Sequence, residues 1–252
     1  MSCNRRWLWW LVATGVGILL VFVPALYADL RPFDEAIARY CNGLIGHNRQ
    51  CDAVIVALNT KAGDITVFLF FLICVAIHCL SATGREERCR RMAFWAWALF
   101  MFPFCYLVQE LLEQIFSRPS PGKLLNDWVN LRKMTNRNVK VASSDSFPSG
   151  HATFYWFFAF VMLRRYKVAG MLWLGLALLV PSTRLVTGAH WPSDIVLGSL
   201  PLCGLMAALL FETRLASLEQ FFRFWCDNIH VRCGGKIASE FDATPGAPDR
   251  HN

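Results

Sequence analysis

The sequence predicts an all-α, polytopic membrane protein built as a bundle of six transmembrane helices, and three observations carry that prediction. Of 252 residues, 55% are hydrophobic and only 17% charged, against about 25% charged in soluble domains. Apolar runs recur near the length a helix needs to cross a bilayer, about 20 residues. Lys and Arg cluster before the first run and in the short connections after the second and fourth, as they do on the cytoplasmic side of membrane proteins. The aromatic content of 14% excludes disordered, collagen-like and coiled-coil chains, which need a polar or strictly periodic composition. A net charge of +7 would raise nucleic-acid binding in a soluble chain. Beside this apolar excess it points to a membrane instead, and no nucleic-acid partner is expected.

The runs cover residues 7–27, 62–80, 92–112, 152–163, 168–186 and 195–211. Arg5 and Arg6 precede the first, which is longer than the roughly 7–15 residues of a signal-peptide core and is read as an uncleaved span. The fourth is short, and residues 147–151 can lengthen it. Arg85, Arg88, Arg90 and Arg91 separate the second run from the third, and Arg164, Arg165 and Lys167 the fourth from the fifth, so both termini are expected in the cytoplasm. Segments 28–61, 113–151 and 188–194 then face outward. The middle one carries Arg118, Lys123, Arg132, Lys133, Arg137 and Lys140. Two readings of this basic loop stand open: it binds an anionic ligand, or it is long enough to translocate regardless of charge.

From Arg214, residues Leu215, Leu218, Phe221, Phe222 and Trp225 fall on one helical face, predicting a helix along the inner surface. The Pro-, Gly- and Asp-rich end from about Asp242 is expected to be disordered. This gives two parts: a six-span membrane domain over 1–213, with its long outward loop at 113–151, and a cytoplasmic amphipathic helix with a tail over 214–252. No internal repeat supports a transporter of inverted halves. The 10 cysteines are dispersed; Cys74, Cys79, Cys105 and Cys203 lie in apolar runs as small core residues. None has zinc-site spacing, so no metal is expected. Cys41 and Cys51, in the first outward segment, are candidates for a disulfide in an oxidising compartment. Trp7, Trp9, Trp10, Trp128, Trp156 and Trp191 are read as interfacial belt residues, and His47, His78 and His230 as structural.

Three polar clusters reach the outward side: residues 117–121, residues 145–151, and the stretch from Arg184 through His190 to Asp194. Two histidines, two arginines and an aspartate suit phosphoryl transfer, in which charge spread over three equatorial oxygens must be held and neutralised. Arg118 and Arg184 offer planar forks of donors. Ser149 and Gly150, at a helix start, offer a hydroxyl, backbone N–H groups and the positive end of a dipole. A neutral imidazole can attack phosphorus while a neighbouring carboxylate holds its other nitrogen, and His190 with Asp194 at i and i+4 suits that task. His151 can protonate the leaving oxygen.

The run Pro148-Ser149-Gly150-His151, then Arg184, five residues, His190, three residues and Asp194, resembles two signatures of the type 2 phosphatidic acid phosphatase (PAP2) superfamily, over about residues 102–211. The resemblance implies a six-transmembrane-helix PAP2-type bundle in which His190 is the nucleophile forming a phosphohistidine, Asp194 its orienter and His151 the acid/base. Arg118, Ser149, Gly150 and Arg184 would hold the phosphate, with no cofactor. The family's first signature has a lysine seven residues before its arginine, where this chain has Leu111; Lys123 or Lys140 from the loop are candidates to replace it. Thr183 stands for a serine before Arg184.

The phrases at 145–148 and 188–191, the following Asp194-Ile195, the early Phe33-Asp34 and the long loop are similar to the lipid A phosphotransferase branch. That branch implies a bacterial inner-membrane enzyme that moves the terminal phosphate of undecaprenyl diphosphate to lipid A on the periplasmic face. An undecaprenyl-diphosphate phosphatase, or another lipid phosphatase releasing inorganic phosphate, shares the catalytic set and stays open. Leu111 also leaves open a transporter or scaffold with an inactive site, against which stands the collection of charges at one membrane edge.

Overall fold

The computed structural model describes residues 6–212 and 220–225, which are helical with irregular connections. Helix α1 (Arg6–Phe22) stops at Val23, whose extended backbone precedes Pro24, because the proline ring disfavours helical geometry in the residue before it. Helix α2 (Pro24–Asn42) therefore leaves at 85° to α1. Asn48 caps α3 (Arg49–Leu58) by accepting from the Gln50 and Cys51 N–H groups, and Thr60 caps α4 (Lys61–Leu80) through Gly63, each satisfying donors that a helix start leaves open. The long α5 (Arg85–Ile115) is followed by two short helical turns, α6 (Pro121–Leu124) and α7 (Leu131–Thr135). Ser149 caps α8 (Gly150–Arg165), and Gly188, in the left-handed region at φ +84°, ends α9 (Lys167–Thr187). A π-helical stretch (Asp194–Ser199) leads into α10 (Leu200–Glu212).

Four described helices are long and apolar enough to cross a membrane: α4, α5, α9 and the continuous Asp194–Glu212, or five when α1 and α2 count as one bent span. The chain is a multi-pass membrane protein. The fourth predicted run is helical as α8, but its 16 residues reach only about 24 Å at ~1.5 Å per residue, short of a typical span. It packs on α9, α10 and α5 and buries Ala152, Tyr155, Phe157 and Phe158 among others. The fourth of the six expected spans, short in the sequence, is thus a short helix packed against longer ones. Edge-on aromatic pairs link that helix to its neighbours, with Phe102–Phe154 at 5.4 Å and Phe71–Phe154 at 5.5 Å, a geometry their ring quadrupoles favour. On the periphery, Phe70, Ile73 and Ile77 of α4 and Val168, Leu172 and Leu179 of α9 are exposed, as a lipid-facing surface is.

Three expectations change here. Trp156 and Trp191 are buried, whereas Trp9 is 76% exposed; an aromatic near a span end reads alike whether it faces lipid or a neighbouring helix. Cys41 and Cys51 are both free thiols. Cys41 packs against the outer apolar cluster of Ile45 and Val186 while Cys51 is exposed, so the expected disulfide is not formed. Phe222 packs on Cys89, Ala93 and Phe100 of α5, but Phe221 and Trp225 stay exposed; Leu215, Leu218 and the tail from Asp242 lie outside the described residues.

Helix α1 approaches the start of the last span closely: a Cβ at Gly17 would sit 2.1 Å from the Leu197 carbonyl oxygen, while at Gly15 it would meet nothing within 4 Å. Gly17→Ala is expected to destabilise the protein by about 1–3 kcal/mol through overpacking, read as a lower unfolding temperature in detergent, with Gly15→Ala leaving it unchanged or raised. Equal behaviour of the two variants would show that α1 is not seated as described.

Candidate active site

His190 follows the left-handed turn at Gly188 and is 2% exposed. That turn is fixed from outside, since Gly122 N–H donates to the Gly188 carbonyl at 2.9 Å and the Trp128 ring lies where a Gly188 Cβ would go. The His190 Nδ1 is 2.8 Å from the Ser146 carbonyl. A carbonyl only accepts, so in the neutral ring Nδ1 carries the proton and Nε2 keeps its lone pair. Asp194 lies 3.7 Å from Nδ1, beyond hydrogen-bond length. Its Oδ2 instead accepts from the Trp191 N–H at 2.7 Å. The carboxylate expected to orient His190 therefore acts on it through charge, and the direct orienter is a backbone oxygen. Burial pushes the His190 imidazole below its ordinary value, opposed by the Asp194 carboxylate, which favours the neutral ring.

Across the cavity, His151 occupies the first turn of α8. Its Nε2 is 2.9 Å from Asp64 Oδ1, in the first turn of α4. Arg184, in the last turn of α9 and 2% exposed, places Nη2 3.1 Å from the same Asp64 oxygen and in contact with His151 Nε2. One carboxylate oxygen thus bridges the two groups expected to meet a phosphoryl oxygen. The cavity has a volume of about 760 Å³ and is lined by His190, His151, Gly150, Asp64, Lys140 and Tyr155 on its polar side, with Glu110 and Glu113 beside them. Val67, Phe68, Phe102 and Phe154 line the rest.

The other expected phosphate ligands sit differently. Neither Arg184, which stands behind Asp64 and His151, nor Arg118 lines the cavity itself. Arg118 Nη1 donates to Asp194 Oδ1 at 2.6 Å and Ser193 Oγ at 2.7 Å, and its Nη2 to Asp34 Oδ2 and Tyr27 Oη, each at 2.7 Å. Burial draws the guanidinium down, yet Asp194, Tyr27 and Asp34 together hold it above its ordinary value. Both ends of the fork are committed, so Arg118 is a tie between carboxylates and not a free anion ligand. Ser149 is fully buried, with Oγ accepting from the Ala152 N–H at 3.4 Å; it caps α8, while Gly150 reaches the cavity. Lys140 lines the cavity, whereas Lys123 Nζ is bound to Ser144 Oγ at 2.8 Å. No group of three or more His, Cys, Asp or Glu side chains able to hold a metal occurs among the described residues.

Sequence reasoning missed Asp64, Ser146 and Tyr27, and gave Asp34 no role. Asp64 carried a signal, being an acid at the outward edge of an apolar run. A backbone carbonyl such as that of Ser146 carries none.

Comparison with known proteins places this geometry. The pattern of the PAP2 superfamily matches residues 94–218, which hold His151, Arg184, His190 and Asp194. A lipid A 1-phosphatase of Rhizobium johnstonii is 31% identical over 221 residues, covering 78% of this chain and 82% of that protein. The chain belongs to the PAP2 superfamily. A lipid A 4'-phosphatase of Rhizobium leguminosarum is 28% identical over 235 residues, 82% of this chain and 94% of the relative. A lipid A 1-diphosphate synthase of Escherichia coli is 26% identical over 190 residues, 74% and 78% of the two chains. Membership makes the chain an enzyme of the PAP2 lipid phosphatase family. Within the PAP2 frame, Asp34 and Asp64 lie outside the matched residues, although both touch the signature side chains.

Asp64 is placed to compete with any anion that approaches Arg184. A unit charge at about 4 Å contributes on the order of 1 kcal/mol even in water. Asp64→Asn is therefore expected to lower the inhibition constant of inorganic phosphate by roughly fivefold or more, measured as competition with lipid-phosphate hydrolysis. An unchanged constant would place the phosphate away from Asp64.

Proposed function

We propose that this PAP2 enzyme hydrolyses a phosphate of lipid A on the periplasmic face of a bacterial inner membrane, through a phosphohistidine at His190. The observation that carries this reading is the His190 Nε2 lone pair, left free by the Nδ1 contact to Ser146 at the wall of a cavity that His151 also lines. Nε2 attacks phosphorus as the bond to the lipid oxygen breaks, and His151 delivers a proton to that oxygen. The ring becomes cationic, with Nδ1–H held on the Ser146 carbonyl and the Asp194 charge nearby. Arg184 and the N-terminal turn of α8 neutralise the phosphoryl oxygens, with Lys140 as the loop cation in reach of the headgroup. A water that gives its proton to His151 then attacks phosphorus, releasing inorganic phosphate and restoring both rings.

The amphipathic cavity, polar around His151 and apolar at Phe68, Phe102 and Phe154, suits a lipid phosphate. The basic connections at 85–91 and 164–167 lie at the helix ends opposite the cavity, which supports cytoplasmic termini and an outward site. In the same reading, residues 1–213 form the catalytic membrane domain and 214–252 a cytoplasmic appendage.

A second reading, transfer of the terminal phosphate of undecaprenyl diphosphate to lipid A, is favoured by the outward loop. Arg132, Lys133, Arg137 and Lys140 are all exposed there, a place for a second anionic headgroup. Purified protein given undecaprenyl diphosphate labelled on its terminal phosphate, with and without lipid A, and lipid A labelled on its phosphates, separates the two. Inorganic phosphate released from lipid A is expected; label moving from the diphosphate onto lipid A would install the second reading, and no release from either lipid would overturn both. His190→Ala is expected to reduce turnover by on the order of a thousandfold or more. Because Arg184, Lys140 and a helix N-terminus supply the positive charge, turnover is expected to survive a chelator; loss restored by Mg²⁺ would contradict this.

The pH profile follows from His190. Protonation removes the lone pair, and burial lowers the pKa, so activity should persist as pH falls past the ordinary histidine value of about 6.5. The acid limb of kcat/KM, after the substrate's own phosphate titration is divided out, is expected below that value; a limb at or above it would place another group in control.

A further inference from the structure

Asp34 has no place in the PAP2 signatures, yet it sits behind the nucleophile. It lies on α2, is 2% exposed, and precedes the matched region altogether. Its Oδ1 accepts from the Ser193 N–H at 3.0 Å, and its Oδ2 from Ser193 Oγ at 2.5 Å and Arg118 Nη2 at 2.7 Å. Arg118 in turn holds Ser193 Oγ and Asp194 Oδ1 through Nη1. Arg118 is 7% exposed, Ser193 4% and Asp194 fully buried. A buried carboxylate with one guanidinium is a neutral pair; a second carboxylate leaves the group negative, next to a ring that must become positive.

We infer that Asp34 is a positioning residue for His190, which fixes Ser193 and Arg118 and thereby sets where Asp194 stands and how much of its charge reaches the ring. The inference rests on the phosphohistidine reading above. With Asp34 neutral, Arg118 is answered by Asp194 alone, and the attraction of Asp194 for the imidazolium is offset by the guanidinium 2.6 Å away. The kink that Pro24 imposes, carrying α2 away from α1 at 85°, is what brings Asp34 to this position. Other charged groups facing His190 are Lys140 from the outward loop and His151 from α8, and neither contacts Asp34.

The test uses the full chain in detergent, with release of inorganic phosphate from lipid A and from undecaprenyl diphosphate as readouts, and compares Asp34→Asn with His190→Ala. Asp34→Asn is expected to lower kcat by about tenfold or more with KM within twofold, and to move the acid limb of kcat/KM to lower pH, since a less negative surrounding favours the neutral ring. A wild-type kcat and an unmoved limb would overturn the inference, as would a loss confined to KM. Retained turnover in His190→Ala would instead sink the phosphohistidine reading itself. Should Asp34→Asn fail to accumulate, Ser193→Ala carries the test, because it cuts the hydroxyl bridge between Asp34 and Arg118. A fall in kcat with KM within twofold supports the inference, and a wild-type kcat overturns it.

Discussion

An imidazole serves as a nucleophile only while its other nitrogen is held as a donor, and the contact from His190 Nδ1 to the Ser146 carbonyl imposes that condition on much of the outward structure. The carbonyl must be fixed, and the chain fixes it by pairing two polar segments with each other. The Ser146 N–H donates to the Arg118 carbonyl at 2.8 Å, Ser120 N–H to the Ser143 carbonyl at 3.0 Å, and Ser143 N–H back to Ser120 Oγ at 2.9 Å. Ser117 Oγ adds a bond to Asp145 Oδ1 at 2.6 Å. The serines of these segments thus serve less as phosphate ligands than as rungs that hold one backbone oxygen beneath a histidine.

Charge balance decides what Arg118 can do. Were its guanidinium to swing into the cavity, Asp34 and Asp194 would be left buried together without a cation, and breaking one buried pair costs about 3–5 kcal/mol. A single additional hydrogen bond to a charged oxygen returns about 1.5–3 kcal/mol. The tie therefore wins, and in the proposed reaction neutralising the phosphoryl group falls to Arg184, the α8 N-terminus and Lys140. Leu111, where the family pattern has a lysine, is 48% exposed, so the cation missing from α5 is not replaced from that position. Lys140, on the cavity wall, stands nearer to such a replacement than Lys123.

The apolar helices were legible because apolar runs and a capping serine such as Ser149 act locally, whereas α2 and α3, in a segment read as an outward connection, were not. His151, Arg184, His190 and Asp194 were legible because His190 and Asp194 stand about one helical turn apart and the other two fall within a recognisable pattern. What escaped were contacts made over long separations. Asp64 meets Arg184 across 120 residues, and Asp34 meets Ser193 across 159, and no periodicity announces such pairings. The inward turn of Trp191 escaped for a related reason: its indole donates to the Pro119 carbonyl at 2.9 Å and its ring stacks on Arg118 at 5.2 Å, partners that only the assembled outward segments provide.

Under the proposed function, the two walls of the cavity together explain why a lipid phosphatase tolerates a carboxylate beside its anion site. Any phosphate reaching Arg184 must displace or repel Asp64, and free phosphate or a soluble ester has only its charge with which to do so. An amphiphile has a second source of free energy, because its apolar portion can lie along Val67, Phe68, Phe102 and Phe154. Apolar burial contributes about 25 cal/mol per Å², so roughly 100 Å² of covered hydrocarbon outweighs a repulsion of ~1–2 kcal/mol at a half-exposed carboxylate. Under the proposed function, Asp64 works as a filter: it raises the threshold for every anion by a similar amount, and only those carrying a hydrophobic anchor clear it.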